Sequence, residues 1–563
     1  MTVPDRPLRS GAKQLSGRSP IAAVGSRSRA GGDEGHGAQH GFSRRGFIGG
    51  ALATGALAAC SSGGGSASSP STTTIATPRL SGYPFTLGVA SGDPTAEAVV
   101  LWTRLAPDAL QVGGGMPTQP VPVRWEVATD DTFADLVADG TAVAEADTAH
   151  TVHVDVQGLE PGREYAYRFL VGRDESPVGR AVTMPAAGEL PAAFVLGQVS
   201  CSRWGDARWA AYRDLAASDC DLVVCCGDYI YERGPENAAG GAVRGGQITA
   251  VTLDDYRYLY ALHRSDEHLR AAHQAAPWSV VWDDHETSNN YVGQTPDASS
   301  ESRSPAELLE RRTAAYRAWW EHMPVRFAPP TGPDLQIHRA LDIGALARLH
   351  LVDTRQYRTP LECEDAVSSV GARCDTSYDP ATTALGADQE AWLADGLREG
   401  ERTWDVVVNQ IVLHQWRFGA GEDAIFNLDQ WDGYPVARTR LTDALAAASG
   451  EPVVLTGDVH STWVSDLTAD FDDLGADRVG TEFVTPGISS PGDELAAITD
   501  VVQVNSPHIR YVEAGHRGWL RHEITPESWT AEIRHVEDPS DAASAVPVVS
   551  TWVIEPGRPV QEA

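Results

Sequence analysis

Residues 222–232 read Leu-Val-Val-Cys-Cys-Gly-Asp-Tyr-Ile-Tyr-Glu and join an apolar run to a turn with ionisable side chains. The run 222–226 is short, continuous and apolar, which is typical of a strand buried on both faces. Gly227 ends the run, and Asp228 follows directly. In a layered α/β protein, active residues lie just past the ends of such strands.

Three further strand patterns end in the same way. Those at 194–199, 278–282 and 453–456 are followed by Ser200-Cys201, Asp283-Asp284-His285-Glu286 and Gly457-Asp458-Val459-His460. A single Gly-Asp or Asp-His motif is common in loops, but four motifs in order, each after an apolar strand, are hard to obtain by chance. Because the strand ends of one sheet meet at one edge, the sequence predicts that these side chains gather in one site.

The rest of the region from 192 onward alternates in the same manner. Strand patterns also occur at 347–352 and 406–413, and amphipathic helical patterns occur at 208–217, 254–272 and 305–322. Ser304 is the predicted cap of the last helix and Pro324 its stop. This alternation predicts a layered α/β domain over 191–555.

The preceding region has a different pattern. From 83 to 185, short alternating runs such as 121–127 and 164–171 are separated by turn residues. This pattern predicts an all-β sandwich similar to fibronectin type III or immunoglobulin modules, with the role of a spacer or wall.

At these strand ends the sequence resembles the calcineurin-like metallophosphoesterases, and in its variants the PhoD-like alkaline phosphatases. The variants are Ser-Cys, Gly-Asp-Tyr-Ile-Tyr-Glu, Trp-Asp-Asp-His-Glu and Gly-Asp-Val-His, with longer matching strings at 88–94, 101–104, 321–324, 353–358 and 431–434. The resemblance covers nearly all of 83–555. It implies a four-layer α/β/β/α phosphoesterase domain after the β-sandwich.

The ligand types indicate which metals fit. Cys201, Asp228, Tyr231 and His460 offer a thiolate, a carboxylate, a phenolate and an imidazole to one ion. A phenolate favours a strong Lewis acid such as Fe³⁺.

The wider superfamily has Asn and His where this chain has Asp284 and Asp458. These charged oxygens are ligands that Ca²⁺ prefers over Zn²⁺. The residues alone therefore predict Fe³⁺ with hard divalent ions and Asp228 as the bridge. The resemblance implies one Fe³⁺ with one or two Ca²⁺, and Asn290 as a further oxygen donor. Asp283 is the alternative to Asp284, which is preferred for its place before His285.

The mechanism implied by the resemblance needs few further residues. Two adjacent ions clamp phosphate oxygens and lower the pKa of a water molecule. His285 would donate a proton or hydrogen bond to the leaving alkoxide. Arg355 is a candidate either for a phosphate contact or for a supporting ion pair.

The N-terminal segment has the features of an export signal. Ser43-Arg44-Arg45-Gly46-Phe47-Ile48 precedes a weakly apolar run that ends in Leu57-Ala58-Ala59-Cys60. This resembles a Tat signal over 1–59 with a lipobox whose Cys60 accepts lipid. Residues 60–82 are predicted to be a flexible tether, rich in Ser, Gly and Thr at 61–79. The expected location is the cell surface or the secreted or periplasmic space, with a lipid anchor as the only membrane contact.

The composition excludes several classes of protein. The 563 residues carry 44 Lys plus Arg against 77 Asp plus Glu, a formal net charge of −33, so no nucleic-acid-binding surface is expected. Lys occurs only at Lys13, which excludes a Schiff-base or P-loop lysine from the folded body. An anion must therefore be held by Arg or by metal. Cys363 and Cys374 flank a short polar loop and are the predicted disulfide.

The predicted function is hydrolysis of phosphate esters by an exported alkaline phosphatase that releases inorganic phosphate from small phosphomonoesters. One alternative is a phosphodiesterase or phospholipase-like enzyme, since the same two-ion clamp serves both reactions. Another is a non-catalytic surface lipoprotein that binds through the β-sandwich.

Overall fold

The computed structural model describes residues 78–563 except 235–248, 364–369, 420, 422–423, 474 and 497–498. The predicted export signal, Cys60 and residues 60–77 of the predicted tether lie outside the described residues. In the described part, the longest apolar stretches in helices are too short or too polar to cross a bilayer.

The described chain alternates strands and helices over most of its length. The strands are β1 Val89–Gly92, β2 Ala98–Arg104, β3 Val121–Ala128, β4 Leu136–Ala144, β5 Thr151–Gln157, β6 Glu164–Val171, β7 Asp174–Glu175, β8 Gly179–Val182, β9 Phe194–Val199, β10 Leu222–Cys225, β11 Pro277–Val280, β12 Arg339–Ile343, β13 Ala347–Leu351, β14 Val370–Gly371, β15 Trp404–Val408, β16 Phe426–Asn427, β17 Glu451–Thr456, β18 Thr462–Thr468, β19 Arg478–Val484, β20 Ile509–Glu513, β21 Gly518–Ile524, β22 Trp529–His535, β23 Val548–Ile554 and β24 Gln561–Glu562. The helices are α1 Ala210–Ala216, α2 Leu253–Arg264, α3 Glu267–Ala275, α4 Pro305–His322, α5 Ala387–Arg398, α6 Pro435–Ala446, α7 Asp493–Ala496 and α8 Thr499–Asn505.

Two large mixed sheets carry the fold. The first has ten strands in the order β24-β23-β22-β21-β9-β10-β11-β1-β2-β5, and the second has seven in the order β12-β13-β15-β17-β19-β18-β20. The neighbours β9, β10 and β11 are parallel, as are β15, β17 and β19. The carboxyl ends of β9, β10 and β11 therefore lie at one edge, as the sequence predicts.

The largest core lies between the two sheets. Alternate residues of β15 point to opposite faces, so Val406 and Val408 enter this core while Val407 joins a second cluster with α5 and α6. The rings of Trp404 and Trp529 meet across the core at 5.6 Å. Full burial of each Val or Leu here contributes about 1.5–3 kcal/mol to stability. This packing fixes the position of one sheet, and of its strand ends, relative to the other.

The strands of 83–185 do not all form a sheet of their own. β3, β4, β6, β7 and β8 form a five-stranded sheet, but β1, β2 and β5 extend the ten-stranded sheet. β1 pairs in parallel with β11, with Ser91 opposite Pro277. Apolar residues of β2 and β3, such as Leu101 and Val123, share one core. The predicted boundary between 185 and 191 stays a prediction, and the sheet pairing runs across it.

Two of the predicted helices show how capping sets boundaries. The helix predicted at 305–322 is confirmed as α4, and Glu307 N donates to the Ser304 hydroxyl at its start. The single helix predicted at 254–272 is wrong, because the chain forms α2 and α3 there. Asp266 accepts hydrogen bonds from the amides of His268 and Leu269 and so begins a new helix.

The six cysteines among the described residues fall into two classes. Cys363 and Cys374 form the predicted disulfide. Cys201, Cys220, Cys225 and Cys226 are free and buried.

Candidate metal centre

Several predicted site residues share an uncommon backbone conformation. Ten described non-glycine residues have positive φ, and five of them are predicted site residues. They are Cys201, Asp228, Asn290, Asp458 and His460. Such conformations cost free energy and persist where the surrounding structure enforces them, which is frequent at functional sites. At all of these positions except Asn290, the turns bring the side chain into a group of metal-type donors.

Two glycines allow the strand ends to approach each other. Gly227 has φ +107°, and a Cβ there would lie 2.6 Å from the Cβ of Asp283. A Cβ at Gly457 would lie 2.7 Å from the Cβ of Ser200. Glycine is therefore required where the turn after β10 meets the turn after β11, and where β17 of the second sheet meets the turn after β9.

The sulfur–phenol corner consists of Cys201, Tyr231 and His460. The Tyr231 hydroxyl lies 2.7 Å from His460 Nε2 and 3.3 Å from Asp228 Oδ2. Cys201 Sγ lies 3.6 Å from the same Asp228 oxygen. His460 Nδ1 donates to the Pro491 carbonyl at 3.1 Å, which leaves the Nε2 lone pair facing the other donors. A thiol, a phenol, an imidazole and a carboxyl thus converge as the sequence predicts.

The carboxylate corner consists of Asp283, Asp284 and Asp458. Together with Asp228 they place carboxylate oxygens within 4.8 Å of one another. Asp284 Oδ2 accepts the backbone N–H of Asn290 at 2.6 Å, and Asp458 Oδ2 accepts from Gln430 at 2.5 Å. Asp228 belongs to both corners. This is the arrangement expected of a bridging ligand between two cation sites.

Burial makes this concentration of acids unfavourable without a cation. Burial and the neighbouring Asp228 raise the pKa of Cys201 well above its usual value, and burial with the charge of Asp284 does the same to the pKa of Asp228. Burial raises the pKa of Asp458 to about 6. Burial also opposes ionisation of Asp284, but Arg355 and His285 outweigh it and lower its pKa to about 2. A bound cation would stabilise all of these anions, so the donor set fits metal ions.

His285 lies between the two corners. Its ring centroid is 4.2 Å from that of Tyr231, and its Nε2 is 3.9 Å from Asp284 Oδ2. Its Nδ1 donates to Glu232 at 2.6 Å. Burial lowers the pKa of His285, but Asp284, Glu232 and Asp228 together raise it well above its usual value. The ring is oriented by Glu232 and leaves Nε2 toward the centre.

Arg355 is fully buried and fully engaged. Its Nε and Nη2 bind Asp283 at 2.5 and 3.2 Å, Nη1 binds both oxygens of Asp429 at 3.0 Å, and Nη2 also reaches Asp284 at 3.3 Å. Each nitrogen of the guanidinium therefore already has a carboxylate partner. Of the two roles predicted for Arg355, the geometry favours the supporting ion pair over a phosphate contact.

Several supporting residues were not predicted. Glu286 accepts from the amides of Asp228, Tyr229 and Asp283 and so fixes two strand-end turns together. Asp429 pairs with Arg355 and with Arg358 at 2.8 Å. Glu286 and Glu232 lie inside motif strings, next to predicted ligands. This position is the sequence feature that could have identified them as supporting residues. Asp429 lies in a loop with no such signal.

Comparisons with known proteins match the chain to one family and to a solved structure. Residues 194–533 match the model of the PhoD-like phosphatase family, and residues 69–185 match its N-terminal domain. The chain is 41% identical over 524 residues to alkaline phosphatase D of Bacillus subtilis (strain 168), covering 91% of this chain and 88% of the relative. A solved structure of PhoD superposes with a TM-score of 0.80 at 40% identity, covering 86% of this chain and 93% of that one.

A more distant structure shows the fold alone. Purple acid phosphatase PPD1 from yellow lupin seeds is 13% identical, with a TM-score of 0.52, and the match covers 84% of this chain and 74% of that one.

Proposed function

Since the chain belongs to the PhoD-like phosphatase family and is a phosphatase that hydrolyses phosphate esters, we propose that its strand-end centre holds one Fe³⁺ and one or two Ca²⁺. The supporting observation is the convergence of Cys201, Asp228, Tyr231 and His460, whose mixed donors suit Fe³⁺. Asp228, Asp284 and Asp458 with Asn290 would hold the calcium ions through oxygen alone. Asp284 is preferred to Asp283 as the ligand, because Arg355 binds both oxygens of Asp283 but only Oδ1 of Asp284, at 3.3 Å.

When bound, these ions supply Lewis acidity toward phosphate oxygens and lower the pKa of water. The chain's own residues do the rest. His285 Nε2 donates a proton or hydrogen bond to the oxygen of the departing alcohol, and Glu232 keeps the proton-bearing ring aimed at it. Arg355 keeps Asp283 and Asp284 in fixed orientation.

The space beside the centre bears on substrate size. A cavity of about 170 Å³ is lined by Asn290 and Asp429 and by apolar residues such as Val292, Leu361 and Leu428. We assign it to the organic part of a small phosphomonoester, with the phosphate toward the ions. A diester would have to place a second organic group elsewhere.

The setting of the enzyme is proposed from the sequence. The twin-arginine segment and the motif ending at Cys60 support export through the Tat machinery and a lipid anchor at the cell surface. In the same proposal, 83–185 is a fibronectin-like or immunoglobulin-like sandwich and the following region is a four-layer α/β/β/α domain.

The test is elemental analysis of the purified full chain together with activity before and after chelation. We expect one iron and one or two calcium per chain, loss of turnover on chelation, and recovery with Fe³⁺ and Ca²⁺. Hydrolysis of p-nitrophenyl phosphate should exceed that of its bis-ester. Full activity without bound ions would contradict the metal assignment, and preference for the bis-ester would favour a phosphodiesterase.

A further inference from the structure

A second group of metal-type side chains lies outside the centre described above. Glu513 is the last residue of β20, His516 lies in the turn 514–517, and His535 is the last residue of β22. β20 belongs to the seven-stranded sheet, whereas β21 and β22 belong to the ten-stranded sheet. The turn therefore connects the two sheets. Gly518, the first residue of β21, pairs with His535, which brings the end of β22 beside the turn.

The three side chains face each other closely. His516 Nδ1 lies 2.9 Å from Glu513 Oε1, and His535 Nδ1 lies 3.8 Å from Glu513 Oε2. The two imidazole rings stack with centroids 5.2 Å apart and planes 4° from parallel. One ligand atom of each residue lies within 4.8 Å of the other two. Atoms that each lie about 2.0–2.2 Å from one Zn²⁺ ion are at most about 4.4 Å apart, so small movements of the side chains would bring all three ligand atoms to one ion.

The carboxylate of this group is fixed by the turn. Glu513 Oε1 accepts the amide of Gly515 at 2.8 Å, and Oε2 accepts the amide of His516 at 3.2 Å. These bonds hold both oxygens of Glu513 in place before any ligand arrives.

His535 completes the group. Its Nδ1 lies 3.8 Å from Glu513 Oε2, beyond hydrogen-bond distance, and its Nε2 lies 3.1 Å from the Thr462 hydroxyl. Thr462 therefore holds the ring with Nδ1 directed at the carboxylate, at a separation that a shared cation would span.

We propose that Glu513, His516 and His535 bind one divalent transition-metal ion, with Zn²⁺ as the best match. Two imidazoles and one carboxylate are a ligand set that Zn²⁺ accepts with water in its fourth position. The contact of Thr462 with the outer nitrogen of His535 is the support that metal-binding histidines usually have. The side chain of His516 is 52% exposed, which gives the ion an entry path.

The site differs from the strand-end centre in chemistry and consequence. The three proposed ligands include no thiol or phenol and only one carboxylate. This set favours an ion of intermediate softness such as Zn²⁺ over Ca²⁺. A bound ion would tie the turn between the two sheets to the end of β22. The proposed zinc site also lies close along the chain to the strand-end centre, because Thr462, which contacts His535, is two residues beyond His460.

The test uses the full chain with its iron and calcium contents measured beforehand. Zn²⁺ is titrated calorimetrically into wild type and into the variants His516→Ala and Glu513→Gln. We expect one additional Zn²⁺ per wild-type chain and an affinity at least tenfold weaker in both variants. His268→Ala is the matched control, because His268 belongs to none of the metal-type groups found in the described residues, and it should bind Zn²⁺ as wild type does.

Elemental analysis after desalting separates the two sites. Iron and calcium should be unchanged while zinc is gained by wild type and His268→Ala but not by His516→Ala. The proposal is overturned if wild type takes up no additional zinc, if the variants bind it with unchanged affinity, or if zinc uptake equals a loss of iron or calcium. His516 is exposed, so His516→Ala is the variant that tests ligation with the least effect on folding.

Discussion

The two corners of the metal centre are built in different ways. The sulfur–phenol corner is held by neutral partners, since Tyr231 accepts from the Ser490 hydroxyl at 2.8 Å and His460 donates to a carbonyl. The carboxylate corner is held by charge, because Arg355 pairs with Asp283 and Asp284. Neutral partners position donors that ionise on binding a metal, whereas carboxylates that are already anionic need a counter-charge to stay together. Each corner can therefore be disturbed separately.

The largest effect is expected where the corners meet. Asp228→Ala removes the carboxylate shared by both, so iron and calcium should both be lost. Because metal ions supply several kcal/mol of transition-state stabilisation, kcat/KM should fall by about 10³-fold or more. Elemental analysis with p-nitrophenyl phosphate kinetics measures this. Asp139→Ala, at an exposed position of β4, should change neither quantity; retention of either metal in Asp228→Ala would show that the corners do not share it.

The next effect is confined to the carboxylate corner. Arg355→Met leaves buried carboxylates without their counter-charge, which should lower the free energy of unfolding by about 3–5 kcal/mol. Urea denaturation measures this change. Iron content should stay near that of wild type, because the guanidinium of Arg355 binds Asp283, Asp284 and Asp429 rather than the sulfur–phenol corner. Equal loss of iron would mean that the two corners fold as one unit.

A control for this variant exists on the surface. Arg348 also pairs with two carboxylates, Asp342 at 2.6 Å and Glu399 at 3.1 Å, but both partners are exposed. Arg348→Met should lower the free energy of unfolding by only about 0–1 kcal/mol, because solvent screens these pairs.

A smaller effect is expected from the residue between the corners. His285→Gln should retain iron and calcium but lower kcat by about 10²-fold, because the proton donor is lost while the ligands stay. Metal content and steady-state kinetics measure the two quantities on the same sample. Full activity of His285→Gln would show that another group protonates the departing alcohol.

The sequence predicted the converging side chains of the centre better than the residues that support them. Cys201, Asp228, Asp284 and His460 each follow a strand, and local pattern alone places a strand end. Asp429 reaches Arg355 across 74 residues of separation, which no local pattern encodes. For the same reason the alternating runs of 83–185 predicted strands but not the parallel pairing of β1 with β11. Glu232 was visible in its motif, but its partner His285 is known only once the two turns are brought together.

The smallest effect tests Glu232 as a positioning residue. Glu232→Gln keeps one oxygen that can accept from His285 Nδ1, but it removes the negative charge and the second oxygen, which accepts the amide of Asn289. A charge-assisted hydrogen bond exceeds a neutral one by about 1–1.5 kcal/mol, which corresponds to roughly a tenfold loss of kcat. KM and metal content should stay unchanged, because a change in His285 orientation does not alter the proposed ligands, and loss of the Asn289 bond should lower the free energy of unfolding by about 1 kcal/mol. A merely structural role would lower stability alone and leave kcat of the folded fraction intact. Glu267→Gln, at an exposed position in the first turn of α3, is the matched control and should behave as wild type.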